Sequence, residues 1–177
     1  MLRQLAVLLL VGGTVFSHAL QLPDGRTKIC MVAGAIVPEM FVPPGAINGL
    51  AGFTTFNPLP LLIKWDPQRL SQLTQQGSAL GGQHGGNLVI EFLAFHECAH
   101  ARLGTPNEVV ANCEAFRQMN ALGELMPGDA QLLAVFHANL GPLPPQYGGS
   151  GVAFWAATKA CILQFPAPPS PLDMVPE

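Results

Sequence analysis

His96, Glu97 and His100 form the pattern H-E-x-x-H within the stretch FHECAHARL. On a helix, residues four apart lie on one face, one turn above the other, so both imidazoles can reach the same metal ion. Zinc accepts such nitrogen ligands, and Glu97, beside the first of them, can take a proton from a zinc-bound water. The alternative interpretation is a metal-free helix that carries two half-buried histidines.

A third ligand must come from outside this motif, and the sequence offers Glu108 and Glu114. A catalytic zinc site uses three protein ligands and leaves the fourth position to water. If the chain folds back at residues 103–105, two helices pair antiparallel and Glu108 lies opposite His100. Glu114 then falls beyond His96 and on a different face. This hairpin argument predicts His96, His100 and Glu108 as the metal ligands.

Asn112 and Thr105 bear on the same prediction. Asn112 lies one turn after Glu108 and opposite His96, where it can accept the free ring N–H of a ligand histidine and fix its tautomer. A solvent-facing asparagine is the alternative. Thr105 begins the pattern T-x-x-E, which predicts a capping box in which Glu108 caps the second helix instead. One carboxylate cannot fill both roles, so ligation and capping compete for Glu108.

Tyr147 and His84 are the candidates for stabilising the negative charge that develops on a peptide carbonyl oxygen. Both belong to Gly-rich segments, and an exposed loop position is the alternative for each. His84 is also the most available fourth ligand if the zinc is structural rather than catalytic. His137 has apolar neighbours on a predicted helix and is interpreted as a partly buried structural histidine.

The segments HECAH and EVVANCEA together resemble the zinc metallopeptidases that combine H-E-x-x-H with a downstream E-x-x-A-[DN]-x-x-A. The closest likeness is to small gluzincin-type peptidases, including the ImmA and IrrE proteins, over roughly residues 88–127. The resemblance implies peptide-bond hydrolysis, with His96, His100 and Glu108 as ligands of one zinc ion and Glu97 as general base. The chain departs from that pattern in having Asn112 where many such sequences have aspartate.

The rest of the sequence indicates the elements that position these residues. It predicts a small single-domain α+β protein that is mainly helical after residue 66. Gly- and Pro-rich segments with short apolar runs predict strands before Trp65. Trp65 itself is either a core residue or a residue that flanks a peptide-binding edge strand. Asp66 and Pro67 mark a helix start, and five glycines in GSALGGQHGG predict a flexible loop. Further helices are predicted over 87–103, from Thr105 to about 123, over 129–140 and over 152–165.

Residues 1–19 have the character of a secretory signal peptide, with one basic residue, an apolar run and a small-x-small site ending at Ala19. The metallopeptidase-like domain is predicted over 20–165 and an extended or disordered Pro-rich tail over 166–177. Export to a secreted or periplasmic location favours disulfides, because such compartments are oxidising. The pairing expected for the four cysteines is Cys98 with Cys113 and Cys30 with Cys161.

The composition limits the classes of partner. Only 11% of residues are charged and the formal net charge is −3, so no basic surface points to nucleic acid. After signal cleavage no membrane association is expected, and the expected partner is a peptide or protein substrate. The leading hypothesis is an exported zinc metallopeptidase, an endopeptidase rather than an exopeptidase. The alternative is an exported zinc-containing binding module that does not cut its ligand.

Overall fold

The computed structural model describes residues 16–17, 19–56 and 60–162, and the side chains within 19–56 and 60–160. It is a small α+β domain in which short strands precede residue 66 and helices dominate after it, as predicted. The predicted Pro-rich tail lies outside the described residues, and of the predicted signal peptide only residues 16, 17 and 19 are described. Phe16–Ser17 forms a short strand, β1. The helices are α1 Pro67–Leu103, α2 Glu108–Ala121, α3 Asp129–Ala138 and α4 Gly151–Ile162.

The strands form one four-stranded sheet and two small hairpins. The hairpins pair β2 Leu20–Gln21 with β3 Thr27–Lys28 and β4 Met31–Val32 with β5 Ala35–Ile36. The sheet contains β1, β6 Glu39–Phe41, β8 Leu62–Trp65 and β7 Gly52–Thr55 in that order. Within it β6 runs parallel to β8, whereas β7 runs antiparallel to β8 and forms an edge of the sheet.

Helix α1 starts and ends where the sequence predicts. The Asp66 side chain accepts hydrogen bonds from the backbone N–H groups of Gln68 and Arg69, at 2.9 and 3.0 Å, and Pro67 occupies the first turn. Gly104 ends the helix in the left-handed conformation, with φ of 59°, which glycine adopts without steric cost.

The predicted flexible loop over residues 77–86 is wrong. Helical backbone continues through this segment except at Gly81 and Gly82, and the latter has φ of 61° and ψ of −152°. The two parts of α1 fold tightly together, because a Cβ atom at Gly77 would meet the Gly85 backbone and one at Gly85 would meet the Gly77 backbone. Most of these glycines therefore permit close backbone packing rather than flexibility.

The core lies between the sheet and helix α1 and continues among the four helices. Trp65 is 1% exposed on the inner strand β8 and donates its indole N–H to the buried Glu39 carboxylate at 2.6 Å. Trp65 is thus a core residue, and it also lies beside the edge strand β7, where it is paired with Gly52. Among the described residues no helix is both long and apolar enough to cross a membrane.

The predicted disulfide pairing is wrong. Cys30, next to strand β4, is bonded to Cys98 on helix α1, with a Cα–Cα distance of 5.4 Å. This bond excludes both predicted pairs, since each of them used one of these two cysteines. Cys98 lies on the side of α1 that faces the N-terminal hairpins, away from α2, because it is about 200° around the helix from His96. Cys113 is disulfide-bonded as well, and the Cys161 side chain lies outside the described part of the chain.

Candidate metal centre

Three potential metal ligands converge where helix α1 faces the start of helix α2. The Nε2 atoms of His96 and His100 are 3.0 Å apart, and Glu108 Oε2 lies 3.0 Å from the first and 3.2 Å from the second. Both histidines are buried, and the Glu108 side chain is 13% exposed. The three residues predicted as ligands therefore lie together as one group.

The size of this triangle fits a zinc ion. Zinc–ligand bonds of about 2.0–2.1 Å in tetrahedral geometry place neighbouring ligand atoms about 3.3 Å apart. The observed separations of 3.0 to 3.2 Å require only a small outward movement to reach that value. Two nitrogens and one carboxylate oxygen also match the donor set that zinc accepts at catalytic sites, with the fourth position left open.

Hydrogen bonds at the far side of each imidazole direct both Nε2 lone pairs toward this point. His96 Nδ1 lies 2.6 Å from Asn112 Oδ1, and His100 Nδ1 lies 2.6 Å from the Thr105 carbonyl oxygen. A carbonyl oxygen only accepts, so each neutral ring holds its proton on Nδ1 and leaves Nε2 free to bind a metal. Asn112 thus occupies the place that the sequence predicts for it.

The orientation of the Asn112 amide is fixed from helix α4. The Thr158 hydroxyl donates to the Phe154 carbonyl at 3.0 Å, and its oxygen accepts a hydrogen bond from Asn112 Nδ2 at 3.0 Å. Since the single hydroxyl proton is already used, Asn112 must direct its NH₂ group to Thr158 and its oxygen to His96. Thr158 is fully buried and was not identified from the sequence. A lone threonine in the apolar run VAFWAATKACI is the signal that could have identified it.

The Glu108 carboxylate and the His100 imidazole shift each other's pKa in opposite directions. Although burial opposes it, hydrogen bonding to His100 and His96 lowers the pKa of Glu108 to about 2. Burial also acts to lower the pKa of His100, but the Glu108 and Glu97 carboxylates raise it overall. An ionised carboxylate therefore faces a readily protonated imidazole, and binding of a divalent cation would displace that proton.

Glu97 lies beside the three ligands, but its carboxylate contacts strand β7 rather than the ligand group. Its side chain is 5% exposed, and Oε2 lies 2.7 Å from the hydroxyl of Thr54 on strand β7. Burial raises the pKa of the Glu97 carboxyl, against the opposing effect of the nearby histidines. Thr54 was not identified from the sequence, because nothing in the pattern GFTTF links it to a residue 43 positions later.

The predicted capping box at Thr105 is wrong, and this frees Glu108 for the site. Helix α2 begins at Glu108, and Asn107 caps it by accepting a hydrogen bond from the Val110 N–H at 3.1 Å. The Thr105 hydroxyl accepts from the Asn107 N–H in the preceding turn. Asparagine is at least as good an N-cap as threonine, so the helix starts later without losing a cap.

Glu114, the rejected ligand candidate, is engaged elsewhere. Its carboxylate accepts hydrogen bonds from Arg117 and Gln118 and lies 3.3 Å from Arg102 on helix α1. These contacts lower the pKa of Glu114, with the Arg117 hydrogen bond as the largest cause. Glu114 therefore joins the two helices through ion pairs and does not reach the histidines.

Two cavities lie on either side of Glu97. The larger, of about 250 Å³, is next to His96, and the smaller, of about 150 Å³, is next to His100 and Glu108. They share a boundary formed by four residues, Leu50, Gly52, Glu97 and Tyr147. The edge strand β7 runs along this boundary, so an extended chain beside β7 would pass the ligand group.

Of the two candidates for charge stabilisation, the structure brings Tyr147 to the site and not His84. Tyr147 lines the smaller cavity together with Glu108, and burial followed by the Glu108 charge raises its pKa. His84 instead pairs with Asp129 at the start of helix α3, with 2.7 Å between Nε2 and Oδ1. His84 is therefore available neither as the predicted fourth ligand nor for catalysis.

His137 is buried, as the sequence predicts. It is 3% exposed and lies among the rings of Phe92, Phe136, Phe154 and Trp155. Burial lowers its pKa to about 4, so the ring is neutral near pH 7. It also forms part of the wall of the larger cavity, which the sequence did not indicate.

Comparison with known proteins adds no relative to this description, since no family model, curated protein or solved structure matches the chain.

Proposed function

We propose that this protein is a zinc-dependent peptidase, an endopeptidase that is exported and acts on peptide or protein substrates. One observation carries the proposal: three ligand atoms, two of them on buried histidines, converge between two cavities, and Glu97 lines both cavities. In the described residues no fourth His, Cys, Asp or Glu joins this group. A three-ligand set is characteristic of catalytic zinc, whereas structural zinc has four protein ligands.

Zinc at this position would acidify a water molecule and polarise the substrate carbonyl. Glu97 would accept the proton from the attacking water and later deliver it to the leaving amine. The Thr54 hydroxyl holds one carboxylate oxygen at 2.7 Å and leaves the other available. Because burial raises the pKa of the Glu97 carboxyl, this group is a stronger base than an exposed glutamate.

Tyr147 supports the same chemistry from the opposite side of the boundary. Tyr147 lines both cavities, and Glu108 lines the smaller one with it. Because its pKa is raised, the phenol keeps its proton across the neutral range and can donate a hydrogen bond. We assign it the role of stabilising the negative charge that develops on the carbonyl oxygen.

The edge strand β7 supports a peptide as the substrate. Among the described strands β7 pairs only with β8, so the backbone groups on its other side can pair with an extended chain. Addition of a peptide to a free sheet edge supplies backbone hydrogen bonds, while adjacent pockets receive alternate side chains. The two cavities beside Glu97 are suitably placed for such side chains.

Glu97→Gln is the variant that tests this proposal. The substitution keeps the size of the side chain and an oxygen for the Thr54 hydrogen bond, but it removes the base. Hydrolysis of an unfolded protein substrate should fall by about two orders of magnitude or more, with zinc still bound in a one-to-one ratio. Chelation should abolish the activity of the parent protein. Stoichiometric zinc without hydrolysis of any peptide library would instead favour the non-catalytic binding module.

A further inference from the structure

The larger cavity beside His96 has a composition that restricts what it can accept. Its wall is hydrocarbon over most of its surface, including Val89, Phe92, Leu93, Phe136, Leu140 and Phe154. Its volume of about 250 Å³ corresponds to roughly eight water molecules of liquid, which is room for one large side chain. Arg69, Glu97 and Tyr147 also line the cavity, but around His137 the wall consists of the Phe92, Phe136 and Phe154 rings. That part of the cavity favours a mainly apolar occupant.

His137 adds one polar atom to this wall. Its Nδ1 lies 2.7 Å from the Leu133 carbonyl oxygen, one turn earlier on helix α3. Because a carbonyl oxygen only accepts, the ring proton is on Nδ1 and Nε2 is left with a lone pair. The lowered pKa of about 4 agrees with a neutral ring near pH 7. His137 Nε2 has no hydrogen-bond partner among the described side chains and backbone groups.

The cavity is the place from which this nitrogen can be reached. The buried side-chain atoms that lack a hydrogen-bond partner, among the described residues, do not include His137 Nε2. Because this nitrogen has no partner, it is in contact with solvent rather than enclosed by protein atoms. The residue as a whole is 3% exposed and lines the cavity, so that contact is made from inside the cavity.

The aromatic part of the wall around His137 presents one acceptor, Nε2, and therefore selects a side chain of matching chemistry. Tyrosine and tryptophan combine a large apolar body with a single neutral donor, O–H or N–H. Phenylalanine and leucine fill the same space but leave Nε2 without a partner, and an unsatisfied polar group in an apolar site is costly. We propose that this cavity is the specificity pocket of the enzyme, an inference that rests on the proposed peptidase function. His137 makes the pocket select a tyrosine or tryptophan side chain next to the cleaved bond.

The test compares peptides that are identical except for tyrosine, tryptophan, phenylalanine or leucine at one position. For the parent protein, kcat/KM should be about ten-fold higher for tyrosine than for phenylalanine, the size expected for one hydrogen bond. In His137→Phe, which keeps an aromatic ring but loses the acceptor, this ratio should fall to about one. In Phe136→Leu, which alters the packing of the wall but keeps the acceptor, the ratio should persist. Equal values for tyrosine and phenylalanine in the parent would overturn the inference without any variant.

A binding measurement separates this inference from the proposed function. The affinity of Glu97→Gln for N-acetyl-tyrosinamide and N-acetyl-phenylalaninamide can be measured by NMR titration, which requires no catalysis. Preference for the tyrosine compound supports the pocket even if the parent protein hydrolyses nothing, in which case only the proposed activity fails. Hydrolysis by the parent with no preference in either assay would keep the peptidase proposal and refute the role of His137.

Discussion

Gly52 lies so close to Glu97 that a Cβ atom on its backbone would be 2.7 Å from Cγ and 2.8 Å from Oε1 of that glutamate. The same atom would be 2.6 Å from the ring of Trp65. Thr54, two residues further along β7 and therefore on the same face of the strand, contacts the Glu97 carboxylate as well. The edge strand thus sets the position of the proposed base, and it can do so only with glycine at position 52.

Gly52→Ala should therefore reduce activity without removing zinc. The added methyl group must displace either the Glu97 side chain or the Trp65 ring, and a displacement of about 1 Å in a catalytic group costs about 100-fold in rate. The measurement is kcat/KM together with zinc content. Gly86→Ala is the matched control, because its Cβ would meet the Ser78 hydroxyl far from the ligands. That variant should lose stability but keep its activity per folded molecule, and a similar loss of kcat/KM in both variants would contradict the argument.

Glu108→Ala should lose both zinc and activity. Two imidazoles alone hold the ion weakly, and the Glu108 Oε2 atom lies 3.0 Å from His96 Nε2 and 3.2 Å from His100 Nε2. Glu114→Ala should keep zinc and lose about 0–1 kcal/mol, since it removes only partly exposed ion pairs with Arg102 and Arg117. Zinc analysis and thermal unfolding of both variants decide the matter. Full zinc occupancy in Glu108→Ala would refute its assignment as a ligand.

Thr158→Val should weaken zinc binding although Thr158 touches no ligand. Without the hydroxyl, Asn112 Nδ2 loses its partner and the amide is no longer held with its oxygen toward His96. Loss of such an outer hydrogen bond lowers metal affinity by about 10-fold to 100-fold. Thr158→Ser keeps the hydroxyl and should bind zinc as the parent does. Competition with a chromophoric chelator measures both affinities, and equal values for the valine and serine variants would contradict this role.

Peptide mapping under non-reducing conditions should find Cys30 linked to Cys98. Because Cys113 is also disulfide-bonded and the sequence has four cysteines, we expect the second bond to join Cys113 to Cys161. Mapping protein taken from its native compartment also tests export, since such bonds form in oxidising compartments. Four free thiols in that material would contradict both the connectivity and the exported location. Mapping a variant that lacks Cys30, again under non-reducing conditions, serves to assign the remaining bond.

Local sequence patterns were sufficient to predict the parts of the site that lie within the hairpin formed by helices α1 and α2. The spacing of His96 and His100 places both rings on one helix face, and the short turn after Leu103 brings Glu108 to them. The caps at Asp66 and Gly104 also follow from residue type alone. The capping box at Thr105 was a wrong prediction because Thr105 and Asn107, two positions apart, can both cap a helix, and asparagine is the stronger N-cap of the two.

By itself, then, the sequence determined the α+β class, the main helices and a candidate ligand group, because these depend on periodicity and on residues within about three helical turns. Only the tertiary structure decided which side chains surround that group. Thr54 meets Glu97 across 43 positions and Asn112 meets Thr158 across 46, and no local pattern encodes either contact. The same holds for the bond between Cys30 and Cys98, which are 68 positions apart. Such pairs form because packing of the whole core brings their elements together, and several alternative pairings satisfy the sequence equally well until that packing is known.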